Sequence, residues 1–323
     1  YSGPVSVTAT ALQNTAGWTI DAATNGPYGA VLTAQGLATG PNASLQFTAD
    51  LPDAKPFAEQ VEGPVRASGT LRQTPNGWQI ETSATGPYQV TADVQGVIAP
   101  QVNVSFDLSL PDLRPLVPQV SGPLNATGTL RQTDQGFMID TRASGPYGAT
   151  ALVEGLATGP DMRLSFDLSM PNVNPLAPGV SGPLSANGVV RQTTDGIAVE
   201  ATASGPYSAQ AVVDGVVTGP RANVDFSLSM PNIGALVDKV NGPLNVNGTA
   251  RREGTGWRLN TDASGPSGTQ ATVAGLVNGD GTLNLNINGS APLGLSRPFL
   301  APRDLQGQAQ FDLSVNGPAA LSS

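Results

Sequence analysis

Cysteine and histidine are both absent from the 323 residues. Without a thiol there is no disulfide, no thiolate nucleophile and no cysteine-bound zinc, and without an imidazole the common hydrolytic triads lose their base. Aromatic residues make up 5% of the chain and charged residues 12%, so large buried anchors are scarce. The formal net charge of −9 supplies none of the basic footprint that phosphate backbones require, which sets nucleic acid aside as a partner. No basic-then-apolar leader occurs, and no run of about eighteen apolar residues. What the chain has in excess is glycine (39) and proline (28). That bias alone suits disorder, but a disordered tract has no reason to keep one face apolar, and this one keeps it throughout.

The reason is a repeat. Gly-Pro pairs stand at Gly3, Gly63, Gly122, Gly182 and Gly242, in steps of 60, 59, 60 and 60 residues, and a second set at Gly26, Gly86, Gly145, Gly205 and Gly265 keeps the same steps. Between them Trp18, Trp78, Phe137, Ile197 and Trp257 each follow a glycine, eight positions before the second Gly-Pro. Three landmarks in register over five copies mark a repeat architecture, whose units complete their cores on their neighbours. The expected units are residues 1–60, 61–119, 120–179, 180–239 and 240–304, with a truncated sixth at 305–323, all in one continuous body. Both termini fall inside a repeat, so the expectation is a fragment of a longer protein.

Within a unit the apolar residues recur at every second position, the period of a half-buried strand. Four strands follow. The second unit reads Val65, Ala67, Gly69, Leu71; then Trp78, Ile80, Thr82, Ala84; then Tyr88, Val90, Ala92, Val94; then Val104, Phe106, Leu108, Leu110. Past Gly96 the apolar phase moves to Val97, and the aligned Leu37, Leu156, Val216 and Leu276 are apolar too, which predicts a bulge or bend at the glycine. Prolines 52, 111, 171 and 231 end each fourth strand, because proline cannot donate to a ladder. The ten-residue joints that follow suit a surface connection with a helical turn, with a lid over apolar surface as the sharper reading.

Candidate chemistry is sparse. Asp107, Asp167 and Asp225 sit on the polar phase, where carboxylates are ordinarily solvated, so no enzyme is expected. The loop "NGDGT" offers one carboxylate, Asp280, where a calcium loop needs several; a tight hairpin turn accounts for it, and no metal or cofactor is expected. Tyr28, Tyr88, Tyr147 and Tyr207 each follow Gly-Pro on the apolar phase and read as core packing rather than a stacking ladder.

Every strand has one apolar and one polar face, and no helix is long enough to cover the former. A propeller needs blades apolar on both sides. A closed sandwich or solenoid needs larger inward residues than the abundant alanine and glycine. A sheet curled into a trough by glycines such as Gly69, Gly128, Gly188, Gly248, Gly36, Gly96, Gly155, Gly215 and Gly275 meets neither objection.

The joint "NPLAPGVSGPLSANGVV" at Asn174–Val190, and more specifically "PLGLSRPFLAPRDLQGQAQFDLSVNGPAALSS" at Pro292–Ser323, resembles the TamB-type translocation and assembly module proteins, part of the AsmA-like, bridge-like lipid transfer group of Gram-negative bacteria. The resemblance implies an all-β, U-shaped antiparallel sheet, the β-taco. It further implies a periplasmic location within an inner-membrane-anchored protein, phospholipid as cargo and a role in outer-membrane protein assembly with an Omp85-type barrel. The anchor and barrel-docking parts are not among these residues. On this reading the groove lining is Val65, Leu71, Trp78, Ile80, Val90, Val94, Val104, Phe106 and Leu108, then Leu124, Leu130, Phe137, Ile139 and Val153. It continues through Leu164, Phe166, Leu168, Leu184, Val199, Val213, Val224, Phe226, Leu228, Leu244, Val246, Trp257, Leu259, Leu283, Leu285 and Ile287. At ~4.8 Å per strand such a trough runs on the order of 100 Å, and hiding a sixteen-carbon chain in it gains roughly 12 kcal/mol. The alternative, from another class, is a structural or adhesive repeat array with a closed core.

Overall fold

Alternating apolar and polar residues punctuated by Gly-Pro give antiparallel strands joined one after the next. The computed structural model describes residues 3–56, 61–297 and 305–318. It divides into two units, Tyr1–Gly159 and Pro160–Ser323. The first holds β1 (Ser6–Asn14), β2 (Gly17–Asn25), β3 (Val31–Leu37), β4 (Ser44–Leu51), β5 (Val65–Thr74), β6 (Gly77–Thr85), β7 (Thr91–Ala99), β8 (Asn103–Leu110), β9 (Leu124–Thr133), β10 (Gly136–Ser144) and β11 (Thr150–Leu156). The second holds β12 (Arg163–Met170), β13 (Leu184–Thr193), β14 (Gly196–Ser204), β15 (Gln210–Val216), β16 (Asn223–Met230), β17 (Leu244–Glu253), β18 (Gly256–Ser264), β19 (Gln270–Val277), β20 (Thr282–Pro292) and β21 (Gln308–Pro318). Within each unit every strand pairs antiparallel with the next in sequence, so each is an all-β meander. Because β4 pairs with β5, β8 with β9 and β16 with β17, the four-stranded sets are not separate blades. Strands β4, β8, β12 and β16 stop at the residue before Pro52, Pro111, Pro171 and Pro231.

The register revises the expected bulge. Pairing runs unbroken through Gly96, with Ile80 opposite Gly96 and Gln79 opposite Val97; the slip comes one step later, between Trp78 and Gln79, where Ile98 is the extra residue. Val97 and its counterparts therefore belong to the polar face, where Leu156 faces Met138 and Val216 faces Ala198. The result is a small apolar patch on the far side of the sheet, with Leu156 and Ala198 buried. The glycine itself is obligatory for another reason. Gly96 has φ +143°, and a Cβ on it would overlap the Asn103 carbonyl oxygen and sit 2.7 Å from the Val104 Cα.

The glycines Gly69, Gly128, Gly188 and Gly248 keep ordinary extended torsions. They stand opposite Phe47, Phe106, Phe166 and Phe226. At Gly128 an added Cβ would lie 2.7 Å from the Phe106 Cζ, and at Gly248 2.6 Å from the Phe226 Cζ. These two rings lie over backbone that has no side chain, which covers the gap a strand glycine leaves.

The tyrosines depart furthest from expectation. They do not begin the third strands; each occupies a turn between strands. Tyr28, Tyr88, Tyr147 and Tyr207 take φ near +60°, the next residue also has positive φ, and the residue after that donates its amide to the proline carbonyl. This is a two-residue type I′ hairpin turn, whose twist matches that of the strands it joins. Ser267 fills the same place in the fifth copy.

Candidate functional site

The candidate site is the apolar face. In an antiparallel ladder, directly opposed residues point to the same side, so rows can be followed from strand to strand. In the first unit one row reads Phe47, Gly69, Thr82, Val94, Phe106, Gly128, Thr141, Val153. A second reads Leu45, Leu71, Ile80, Gly96, Val104, Leu130, Ile139, Gly155, and a third Ala49, Ala67, Ala84, Ala92, Leu108, Ala126, Ala143, Ala151. The second unit repeats them. Phe166, Gly188, Ala201, Val213, Phe226, Gly248, Thr261, Val273 and Ile287 lie along one row, and Leu164, Val190, Val199, Gly215, Val224, Ala250, Leu259, Gly275 and Leu285 along the next. Leu168, Ala186, Ala203, Ala211, Leu228, Val246, Ala263 and Ala271 form the third. At the strand ends Leu51 meets Val65, Leu110 meets Leu124, Met170 meets Leu184 and Met230 meets Leu244. At the opposite ends Trp78 faces Gln73, Phe137 faces Gln132, Trp257 faces Arg252, and Val277 faces Leu283.

Within its own unit, each residue expected to line a groove therefore falls in one of these rows, except Val90, which closes the turn after Tyr88. Leu45, Phe47 and Val190 belong to the rows as well; alignment of their strands at the 60-residue period with Val104, Phe106 and Leu130 was the signal for them. Among the described residues of each unit, strands pack closely only against their ladder neighbours, so no second layer lies on this face. Among the described residues ten hydrophobic side chains are buried, and no large side chain is fully so. Val104, Leu110, Val224 and Met230 are the buried members, while Leu168 and Leu184 keep 43% and 37% of their surface exposed.

Among the described residues, grooves lie mainly against side chains of the polar phase. A groove of about 790 Å³ in the second unit is lined by Asp214, Asp225 and Asp262 with Asn247, Asn260 and Thr249, and also by Phe226 and Val273 of the first apolar row. Another in the first unit, of about 430 Å³, is lined by Glu81, Asp93, Asp107 and their neighbours. Carboxylates stand directly opposed here, Asp93 to Asp107 and Glu200 to Asp214 to Asp225, an arrangement that costs stability. Among the described residues no group of three acidic side chains is placed to hold a metal ion. Asp280 is engaged inside its turn, accepting from the Thr282 amide and hydroxyl, which hold its carboxyl below the usual range. No described helix is long and apolar enough to cross a membrane.

No family model, curated protein or solved structure matches the chain. The likeness to TamB-type proteins thus rests on the residues quoted for it, of which 298–304 and 319–323 lie outside the described ones.

The joints between the four-stranded sets share a fastening. Asp112 Oδ1 accepts the amides of Arg114 and Gly122, and Asn172 and Asn232 do the same for Asn174 with Gly182 and for Gly234 with Gly242. The Leu113, Val173 and Ile233 amides bond the same three glycine carbonyls. One helical turn follows, Val117 to Leu113, Ala177 to Val173 and Val237 to Ile233. The tyrosine of the neighbouring turn closes the joint: the Tyr147 phenol accepts the Ser121 amide at 3.1 Å and pairs with its hydroxyl, which lowers the phenol pKa, and Tyr207 accepts the Ser181 amide at 3.3 Å. The Arg114 guanidinium, assisted by the Arg114 and Gly122 amides, holds the Asp112 carboxyl down to about 2.

Proposed function

We propose that the protein shields phospholipid acyl chains on its apolar face, as part of a non-enzymatic, bridge-like periplasmic conduit between inner and outer membranes built from ~60-residue four-stranded units. The single observation that carries this reading is a face of aligned apolar rows left without a second layer in each unit. A hydrocarbon tail laid on such rows leaves water at roughly 0.8 kcal/mol per CH₂ and asks for no directional bond. In this reading the units continue into one curled trough of the β-taco kind, and the Omp85-type barrel is met by parts beyond these residues. The second reading, a structural or adhesive array, draws on the grooves against the polar face, where amides, hydroxyls and carboxylates suit a polar ligand better than a lipid.

Photo-crosslinking separates the two. A crosslinker at Leu108 or Phe226 should capture phospholipid, and one at Asp107 or Asp225 should not. Equal capture from both faces, or capture from the polar face alone, overturns the conduit.

A further inference from the structure

The joints carry a feature that the acyl-shielding reading does not use. Their fastened ends present bare aliphatic tips: Leu116 and Val117 are 47% and 39% exposed, Leu176 43%, and Leu236 and Val237 47% each. These five lie at the same place in three successive joints, at the residues that close the single helical turn. In the second unit both knobs lie on one edge of the meander, since β12–β13 and β16–β17 are joined at the same end. The four intervening strand steps set them about 19 Å apart.

We propose that this edge is a docking surface for the interface of a lipid bilayer, with the leucine and valine tips entering its outer apolar zone. Three observations favour a membrane over a protein partner. The tips are purely aliphatic and lack the aromatic and arginine anchors that dominate protein interfaces. The knobs are ready-made, pinned by Asp112, Asn172 or Asn232 and stiffened by prolines such as Pro115 and Pro175, so little ordering cost remains at binding. The joints are also neutral within an acidic protein: residues 112–120 carry one Asp and one Arg, 172–181 no charge, and 232–240 one Asp and one Lys. A neutral apolar tip enters a bilayer without anionic lipid, and two knobs on one edge bind together more tightly than either alone.

The test is flotation of the whole chain with phosphatidylcholine vesicles, with and without phosphatidylglycerol and at low and high salt. Binding should not increase with anionic lipid and should survive high salt. The triple variant Leu176→Ser, Leu236→Ser, Val237→Ser should lose about tenfold or more in partitioning, each knob alone less, because the pair acts through shared attachment. All variants should keep the wild-type melting curve, since the altered side chains are exposed. Leu168→Arg, on the apolar face, should keep vesicle binding while losing capture of a fluorescent fatty acid, so the two proposals fail separately. The docking proposal is overturned if wild type does not float, or if the triple variant floats as well as wild type. It is also overturned if binding needs phosphatidylglycerol, or if the substitutions change only the size of a lipid-free oligomer, which would make a second copy the partner.

Discussion

The two faces of the same sheet obey opposite rules. On the apolar face opposed residues complement each other, Phe106 over Gly128 and Leu110 beside Leu124, so each strand supplies cover for the next. On the polar face opposed residues include carboxylates that repel, Glu200, Asp214 and Asp225, and the ion pairs present, such as Arg66 with Asp50, are exposed and worth little. Cohesion therefore comes from the ladder and from in-plane contacts on one side. Yet burial does not simply follow chemistry. Ala198, on the polar side, is 4% exposed, whereas Leu168, on the apolar side, is 43% exposed.

That inversion gives the largest expected effect. Ala198→Arg places a charge where there is no room or partner, and should cost on the order of 3–5 kcal/mol, measured by chemical denaturation. Leu168→Arg adds the same charge to the face that looks like a core, but stays hydrated and should cost less than about 1 kcal/mol. If the two losses are equal, the apolar face is closed by something and the open-sheet account fails. Next in size is Gly215→Ala. Gly215 has φ +144° and an added Cβ would overlap the Asn223 carbonyl oxygen, so a loss of about 2–3 kcal/mol is expected. A loss of only a few tenths would mean that β15 and β16 can separate there without consequence.

Much of this was legible before the fold. Strict alternation at Val104, Phe106, Leu108 and Leu110 places strand and face together, because the side-chain period of a strand is two. The proline after the fourth strand of each of the first four repeats marks its end to the residue, whereas β20 of the fifth runs through Pro292. Other features were hidden for physical reasons. A run such as Gly96-Val97 reads identically whether the chain slips by one residue or an apolar side chain is simply placed on the far face; only the partner strand decides. The turn at Tyr88 carries none of the Asn-Gly or Asp-Gly chemistry that announces a type I′ hairpin, and a left-handed tyrosine is rare enough that strand continuation was the natural reading.

A smaller effect probes the repulsive side. Asp225→Asn removes one member of the opposed acidic row while keeping its shape, so the melting temperature should rise slightly at low ionic strength. The gain should fade in high salt, where exposed charges are screened. A rise of the same size at both salt concentrations would mean that the carboxylates do not feel one another.

The smallest expected effect compares the joints rather than the faces, and it depends on pH. Asp112 and Asn172 hold the same two amides in the same geometry, but only the first can titrate. Contact with the Arg114 guanidinium and the two amides sets the Asp112 folded pKa at about 2, below its ordinary 3.8. A depressed carboxylate stabilises the folded state above its unfolded pKa, and that contribution fades as pH falls from about 4 through 2. Asp53, lowered in the same direction chiefly by the Gly63 amide, should follow it. Protection of the Gly122 amide against hydrogen exchange, corrected for intrinsic rates, should therefore weaken between pH 4 and 2 while that of Gly182 and Gly242 holds. Asp112→Asn should bring Gly122 into line with them. If Gly122 stays as protected as Gly182 at pH 2, the carboxylate is not what closes the joint, and the fastening rests on the backbone bond between Leu113 and Gly122.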